Sequence, residues 1–380
     1  MTSADGQGMC LFVRKVIVMR RIRSLGTLLL FSLLITPANA ILFYSTADPN
    51  YNTTLPGGSL ANSGWQFQGL WGSYLGTPIA PKYFITAAHV GGSVGDPLVL
   101  NGVLYATTDV FDDPNTDLRI WRICGTFPIF APLYTNNNEV GQSLVVFGRG
   151  TQRGAAVTTP ILLGGMKTNG WAWGTSDGIV RWGENEVESV INGDGALGGA
   201  GIGEVLQAAF DATGGSNECQ LSVGDSAGAV FIRDASTWKL AGINYAVDGP
   251  YNSTSTGGDA SAFNAAVFDG DGLYQKNVGG LWVPESGPGS FYSTRISSRM
   301  SWINSVLSAP LTADSQPVPQ SSTTVNGTFA DHANATVDEV AKTVSIPQPG
   351  QSEFYRLRSC SSLRITAIRL QGGNVILVYE

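Results

Sequence analysis

The sequence predicts an all-β protein with one short helix near residue 300. Three observations lead there. Short runs rich in Val, Ile, Thr, Tyr and Trp recur along the chain, and Gly, Asn or Pro interrupts them every few residues, with 48 glycines in 380 residues. The longer helical periods that would build bundles or βαβ units do not accompany them.

Residues 1–40 stand apart from this pattern. Arg20, Arg21 and Arg23 precede an apolar stretch from Leu25 to Ile35, and Ala38-Asn39-Ala40 supplies small residues for cleavage. This reads as a secretory signal that leaves Ile41 as the first mature residue. A membrane anchor is the rival, but the stretch is about half of the roughly 20 residues a spanning helix needs. The expectation is a secreted protein, extracellular or periplasmic, with no stable membrane insertion.

Removing that segment takes five basic residues and one acidic one from the 22 and 29 of the whole chain. The remaining 17 and 28 give a net charge of −11, which repels phosphate backbones and argues against nucleic acid as a partner. Cys124, Cys219 and Cys360 then lie in an oxidising compartment, enough for one disulfide and one odd thiol. Their spacing fits no zinc pattern, and only two histidines occur, so neither metal nor cofactor is expected.

Within residues 41–308 the strand-like runs include Trp65–Trp71, Ser143–Phe147, Gly228–Ile232 and Leu240–Ala246. Met300, Ile303 and Leu307 recur at helical spacing and close this domain with a helix. From Ala309 the composition turns to Pro, Ser, Thr and Asn, which reads as a polar linker over 309–345. Strand character returns over 346–380 as a small C-terminal β segment.

Two motifs carry chemistry. The first is ITAAHV, which sets His89 after a β-like run; the second is VGDSAGAVF, which sets Ser226 among glycines behind an aspartate. A serine hydroxyl becomes nucleophilic when a base takes its proton, and that base is usually a histidine held by a buried carboxylate. His89 is the only histidine before the tail, where His332 lies. For the acid, Asp117 leads into the alternating run LRIWRI. Asp109, Asp112 and Asp113 compete from DVFDDPN, a turn-like stretch that favours capping or solvent.

At these residues the chain resembles a chymotrypsin-like, trypsin-family serine peptidase. GTPIAPKYFITAAHV resembles that family's histidine strand, TDLRIWRI its aspartate strand and GDSAGAVF its serine loop. LAGINYAV is similar to its cleft-lining strand, and YSTRISSRMSWINSVL to its closing strand and helix. The resemblance implies two antiparallel six-stranded β-barrels with a C-terminal helix, and a His89-Asp117-Ser226 triad in the cleft between the barrels. It implies an oxyanion hole from the Gly224 and Ser226 N–H groups, and protein or peptide substrates. By its alignment Gln220, Asn244, Tyr245, Ala246 and Val247 line the substrate pocket. None of the five is acidic, so a neutral preference is expected rather than Lys or Arg.

The chain departs from the family at Ala227 and Ala229, where glycine and proline are usual. Ala227 crowds the nucleophile only if its φ is positive. In the family, a freed N-terminal ammonium pairs with the aspartate before the serine, here Asp225. Cleavage after Ala40 would free Ile41, but Leu42-Phe43-Tyr44 is bulky for threading. The expectation is therefore a protein folded directly in its active form, with Asp225 satisfied by an arginine or by backbone amides. Two other readings remain: a catalytically silent binding module on the same fold, and an esterase using Gly224-x-Ser226-x-Gly228 as a nucleophile elbow. The esterase needs its histidine after the serine, and only His332 follows.

Overall fold

The computed structural model describes residues 41–309, 317–348, 353–360 and 363–380. The expected leader, residues 1–40, lies outside them. The chain divides after Ala309 into two compact units, and the first is mostly β-strand, with one eight-residue helix, a four-residue helical turn at Gly193–Ala196 and five 3-10 turns. Among the described residues no helix is long and apolar enough to cross a membrane.

The first barrel is built from β1 (Gly69–Trp71), β2 (Tyr74–Ala80), β3 (Tyr83–Ala87), β4 (Pro97–Leu100), β5 (Val103–Asp112) and β6 (Leu118–Ile123). The strands close in the order β1-β2-β3-β6-β5-β4, and β4 returns to β1 through Leu70↔Val99. Successive β-strand side chains point to opposite faces, and in β3 both faces are buried. Phe84 turns into the barrel with Trp71, Leu98 and Trp121, while Ile85 turns outward to a second core.

The second half forms a seven-stranded antiparallel sheet. Its strands are β7 (Ser143–Gly148), β8 (Arg181–Glu186), β9 (Ser189–Asn192), β10 (Glu204–Ala209), β11 (Ala229–Asp234), β12 (Thr237–Val247) and β13 (Ser290–Arg295). They run in the order β8-β7-β11-β12-β13-β10-β9. The two edge strands, β8 and β9, are separated in the chain by only Val187 and Glu188. The sheet must therefore curl until its edges meet, and β8–β9 acts as one bent strand of a six-stranded barrel.

One core serves both barrels. Ile85, Leu118 and Ile120 from the first pack with Phe147, Ala229, Phe231 and Ile243 from the second. The helix α1 (Met300–Leu307) adds Ile303 and Val306 to the same cluster. Phe67 and Phe231 stack across it at 6.1 Å. Burying one such side chain fully contributes about 1.5–3 kcal/mol.

The region read as linker is structured in its described part. Strands occupy Val318–Ser322, Ala330–Asp331, Thr336–Asp338 and Thr343–Pro347, and the last pairs with Asn374–Tyr379. Val344, Ile346, Val375 and Leu377 bury a small core there. Average composition hid the alternation of Val344 and Ile346 with Thr343 and Ser345, which suffices for one buried sheet face.

Candidate active site

Strand pairing brings together two residues that lie 28 apart in the sequence. β3 pairs antiparallel with β6, ending at Ala87↔Leu118, and the next rung is the Ala88 N–H donating to the Asp117 carbonyl at 2.6 Å. His89 follows in a single 3-10 turn, Ala88–Val90. Its main-chain N–H donates to Asp117 Oδ1 at 2.9 Å, and its ring Nδ1 lies 2.5 Å from Asp117 Oδ2. One carboxylate thus grips both the backbone and the ring of His89. Engaging Nδ1 as a donor leaves Nε2 with its lone pair free. The Asp117 side chain is 12% exposed and that of His89 is 39% exposed, so the imidazole faces solvent above a shielded acid.

The rival acids have other partners. Asp109 lies 3.3 Å from Arg122, and Asp112 is held by Arg119 through two hydrogen bonds. Both occupy β5 rather than a turn. Asp113 is buried, not solvated: it takes two bonds from Arg299, at 2.6 and 2.7 Å, and one from the Thr116 hydroxyl.

Ser226 occupies the turn before β11 and is half-buried. On one side, Gly224 has φ +94°, and a β-carbon there would stand 2.9 Å from the α-carbon of Gly150. Only glycine suits that position. On the other side, Ala227 has φ +62° and is fully buried, so the methyl group does occupy left-handed backbone beside the serine. Its N–H donates to the Asn244 carbonyl at 3.0 Å. The next residue, Tyr245, sets its ring edge-to-face on His89 at 5.9 Å and 80°. Serine turn, β12 and imidazole are linked in this way. Among the described residues neither the Gly224 nor the Ser226 N–H has an acceptor in the protein.

Asp225 is fully buried beneath the turn. Its carboxylate accepts from the Gly150 N–H at 2.6 Å, the Ser222 N–H at 2.8 Å and the Ser222 hydroxyl at 3.0 Å. Backbone amides therefore surround it, yet burial still pushes its pKa up to about 6. Arg149 stiffens this cage by donating to the Gly178 carbonyl and, from the second barrel to the first, to the Gly72 carbonyl.

The bulk of the Ile41 segment does not keep it out. Ile41, Leu42 and Phe43 are all buried, and Leu42 and Phe43 pair with Gln220 and Cys219. Leu42 packs with Phe210 and Ala266, and Phe43 meets Tyr51 edge-on at 5.0 Å. Ile41 Cγ1 and the Asp225 carboxylate both lie where a β-carbon on Gly148 would stand. Apolar cores accept large residues here because the β-pairing satisfies their backbone.

The five expected pocket residues differ in their surroundings. Gln220 and Asn244 are 2% and 1% exposed, whereas Tyr245, Ala246 and Val247 are half-buried where β12 runs on past its last partner in β11, Ala229. Burial, then the Asp117 and Asp194 carboxylates, push the Tyr245 phenol pKa up. Cys219 is a free, fully buried thiol.

No protein-family model matches the chain, and no curated protein matches its sequence. Among solved structures it is similar to mouse neuropsin, described as a serine protease expressed in the limbic system of the brain. The two share 16% identity over 67% of this chain and all of neuropsin, with a TM-score of 0.39. A likeness of that size leaves the chemistry to be argued from the side chains.

Proposed function

We propose that the protein is a secreted serine endopeptidase with the triad His89-Asp117-Ser226. The observation that carries the reading is the double grip of Asp117 on His89, ring and main chain together. His89 Nε2 takes the Ser226 proton as the hydroxyl attacks a peptide carbonyl, and Asp117 holds the imidazole tautomer and stabilises its charge. The Gly224 and Ser226 N–H groups receive the oxyanion; losing one such donor typically costs about 3 kcal/mol of transition-state stabilisation. His89 then returns the proton to the leaving amine, and water hydrolyses the acyl-enzyme by the same route. No metal or cofactor enters this scheme.

Protein and peptide substrates suit the cleft because the half-buried end of β12, Tyr245–Val247, runs past its last partner in β11 and offers an edge to an extended chain. With no acid among the pocket residues, the reading assigns a neutral preference at the residue before the cut. The mature chain begins at Ile41 and works outside the cell. A fluorophosphonate probe should label Ser226 in the wild type, and Ser226→Ala should lose both labelling and casein cleavage while remaining folded. Casein cleavage retained by purified Ser226→Ala would sink the mechanism.

A further inference from the structure

Asn244 is a polar residue on a strand beside the cleft, yet it is 1% exposed. Its side-chain amide is fully engaged within the protein. Nδ2 donates to the Phe147 carbonyl at 2.9 Å and to the Asp225 carbonyl at 3.0 Å, while Oδ1 accepts from the Ser293 hydroxyl at 3.1 Å. Two carbonyls on one side and a hydroxyl on the other fix which end of the amide is nitrogen. No donor remains for a substrate side chain.

The Asp225 carbonyl belongs to the same peptide group as the Ser226 N–H. In a planar trans peptide the C=O and N–H point in opposite directions. Asn244 Nδ2 and the Gly228 N–H, at 3.1 Å, both hold the Asp225 carbonyl inward. They thereby turn the Ser226 N–H outward. Asn244 also binds the turn through its own backbone: its N–H donates to the Gly228 carbonyl at 2.8 Å, and its carbonyl accepts the Ala227 N–H. Left-handed Ala227 is a conformation that persists only where its surroundings over-determine it, and Asn244 supplies much of that constraint.

We propose that Asn244 is a positioning residue that aims the Ser226 amide at the oxyanion. This rests on the peptidase reading above and reassigns Asn244 from pocket lining to the support of the hole. Asn244→Asp keeps the shape and the Ser293 bond but gives up the amide donors, and Asn244→Ala gives up both. With a peptide ester, each variant should lose about 10- to 100-fold in kcat with KM within about twofold, less than outright removal of a hole donor. Affinity for an arylboronic acid, whose tetrahedral adduct places an oxygen in the hole, should fall by a similar factor. Ser293→Ala, which frees only Oδ1, should show the same split at about two- to fivefold, and it keeps the test available if the Asn244 variants do not fold.

Unchanged kcat and boronate affinity in a folded Asn244 variant or in Ser293→Ala would overturn the assignment. So would a raised KM at constant kcat, the mark of a residue that touches substrate. A wild-type protein that no fluorophosphonate labels would overturn the peptidase reading itself, and the assignment with it.

Discussion

Replacing Glu218 by glutamine should stabilise the protein at alkaline pH and leave it unchanged in acid. Glu218 is 3% exposed, and its Oε1 accepts the Asp211 N–H at 2.9 Å and the Asn185 amide at 3.0 Å. Neither donor is charged, and the Asp211 and Glu184 carboxylates add repulsion. Burial foremost pushes its pKa from 4.5 up to about 8. A carboxyl whose pKa is raised in the folded state stabilises that state fully below the unfolded value, and the benefit is lost as pH climbs towards the folded one. Between pH 4.5 and pH 8 the loss amounts to about 5 kcal/mol at 1.36 kcal/mol per pKa unit. Relaxation around the charge lowers what is measured, so we expect about 2–4 kcal/mol. Glutamine keeps the acceptor oxygen and carries no charge. The assay is urea unfolding followed by tryptophan fluorescence from pH 4 to pH 9, in a Ser226→Ala background to prevent self-digestion. Asp225, with its own pKa of about 6, contributes to the pH slope of both proteins and cancels in the difference. Equal stability of the two proteins at pH 8, or a variant weaker at every pH, would refute the reasoning.

Asp117→Asn should lower kcat by about 10⁴ with little change in KM, because the amide favours the wrong imidazole tautomer; steady-state kinetics on a peptide ester measure this. Ala227→Gly should leave the unfolding free energy within about 1 kcal/mol, since relief of a left-handed alanine (about 1–2 kcal/mol) is offset by the freer unfolded chain and a lost buried methyl. A gain above 2 kcal/mol by urea titration would contradict that balance. Ile41 has φ +55°, an unusual value for a β-branched residue, and φ is constrained only while a carbonyl precedes it. A protein beginning at Ile41 should therefore unfold at higher urea than one retaining Ala40, by about 1–3 kcal/mol.

Gly224 was legible because its turn has no room for a side chain, and His89 and Ser226 stood out because the proposed triad asks for a base and a nucleophile. Asp117 was legible by its place at the head of an alternating strand, and the structure gives its three rivals arginine partners that no local pattern announced. Asn244 was not legible. An asparagine on a cleft strand looks the same in sequence whether it faces a substrate or the back of a peptide group, and only the bonds to Phe147 and Asp225 decide. Leu42 and Phe43 escaped for a related reason: side-chain size says nothing about whether the groove between Cys219 and Phe210 is wide enough. The strands over 317–345 were hidden by polar partners on their exposed face, where turn-rich composition outweighed a few alternating valines.

The core common to both barrels has a consequence for how the molecule resists proteolysis. On the peptidase reading, each molecule in solution is surrounded by copies of itself, and a copy becomes digestible wherever a segment opens without the rest. Ile85, Ile120, Phe147, Phe231 and Ile303 belong to one cluster, so neither barrel nor the terminal helix can detach without uncovering the others. Partial opening is then nearly as costly as complete unfolding. The surfaces left open to attack are exposed loops, among them the Gly-rich stretch 193–203, which contributes nothing to that shared core.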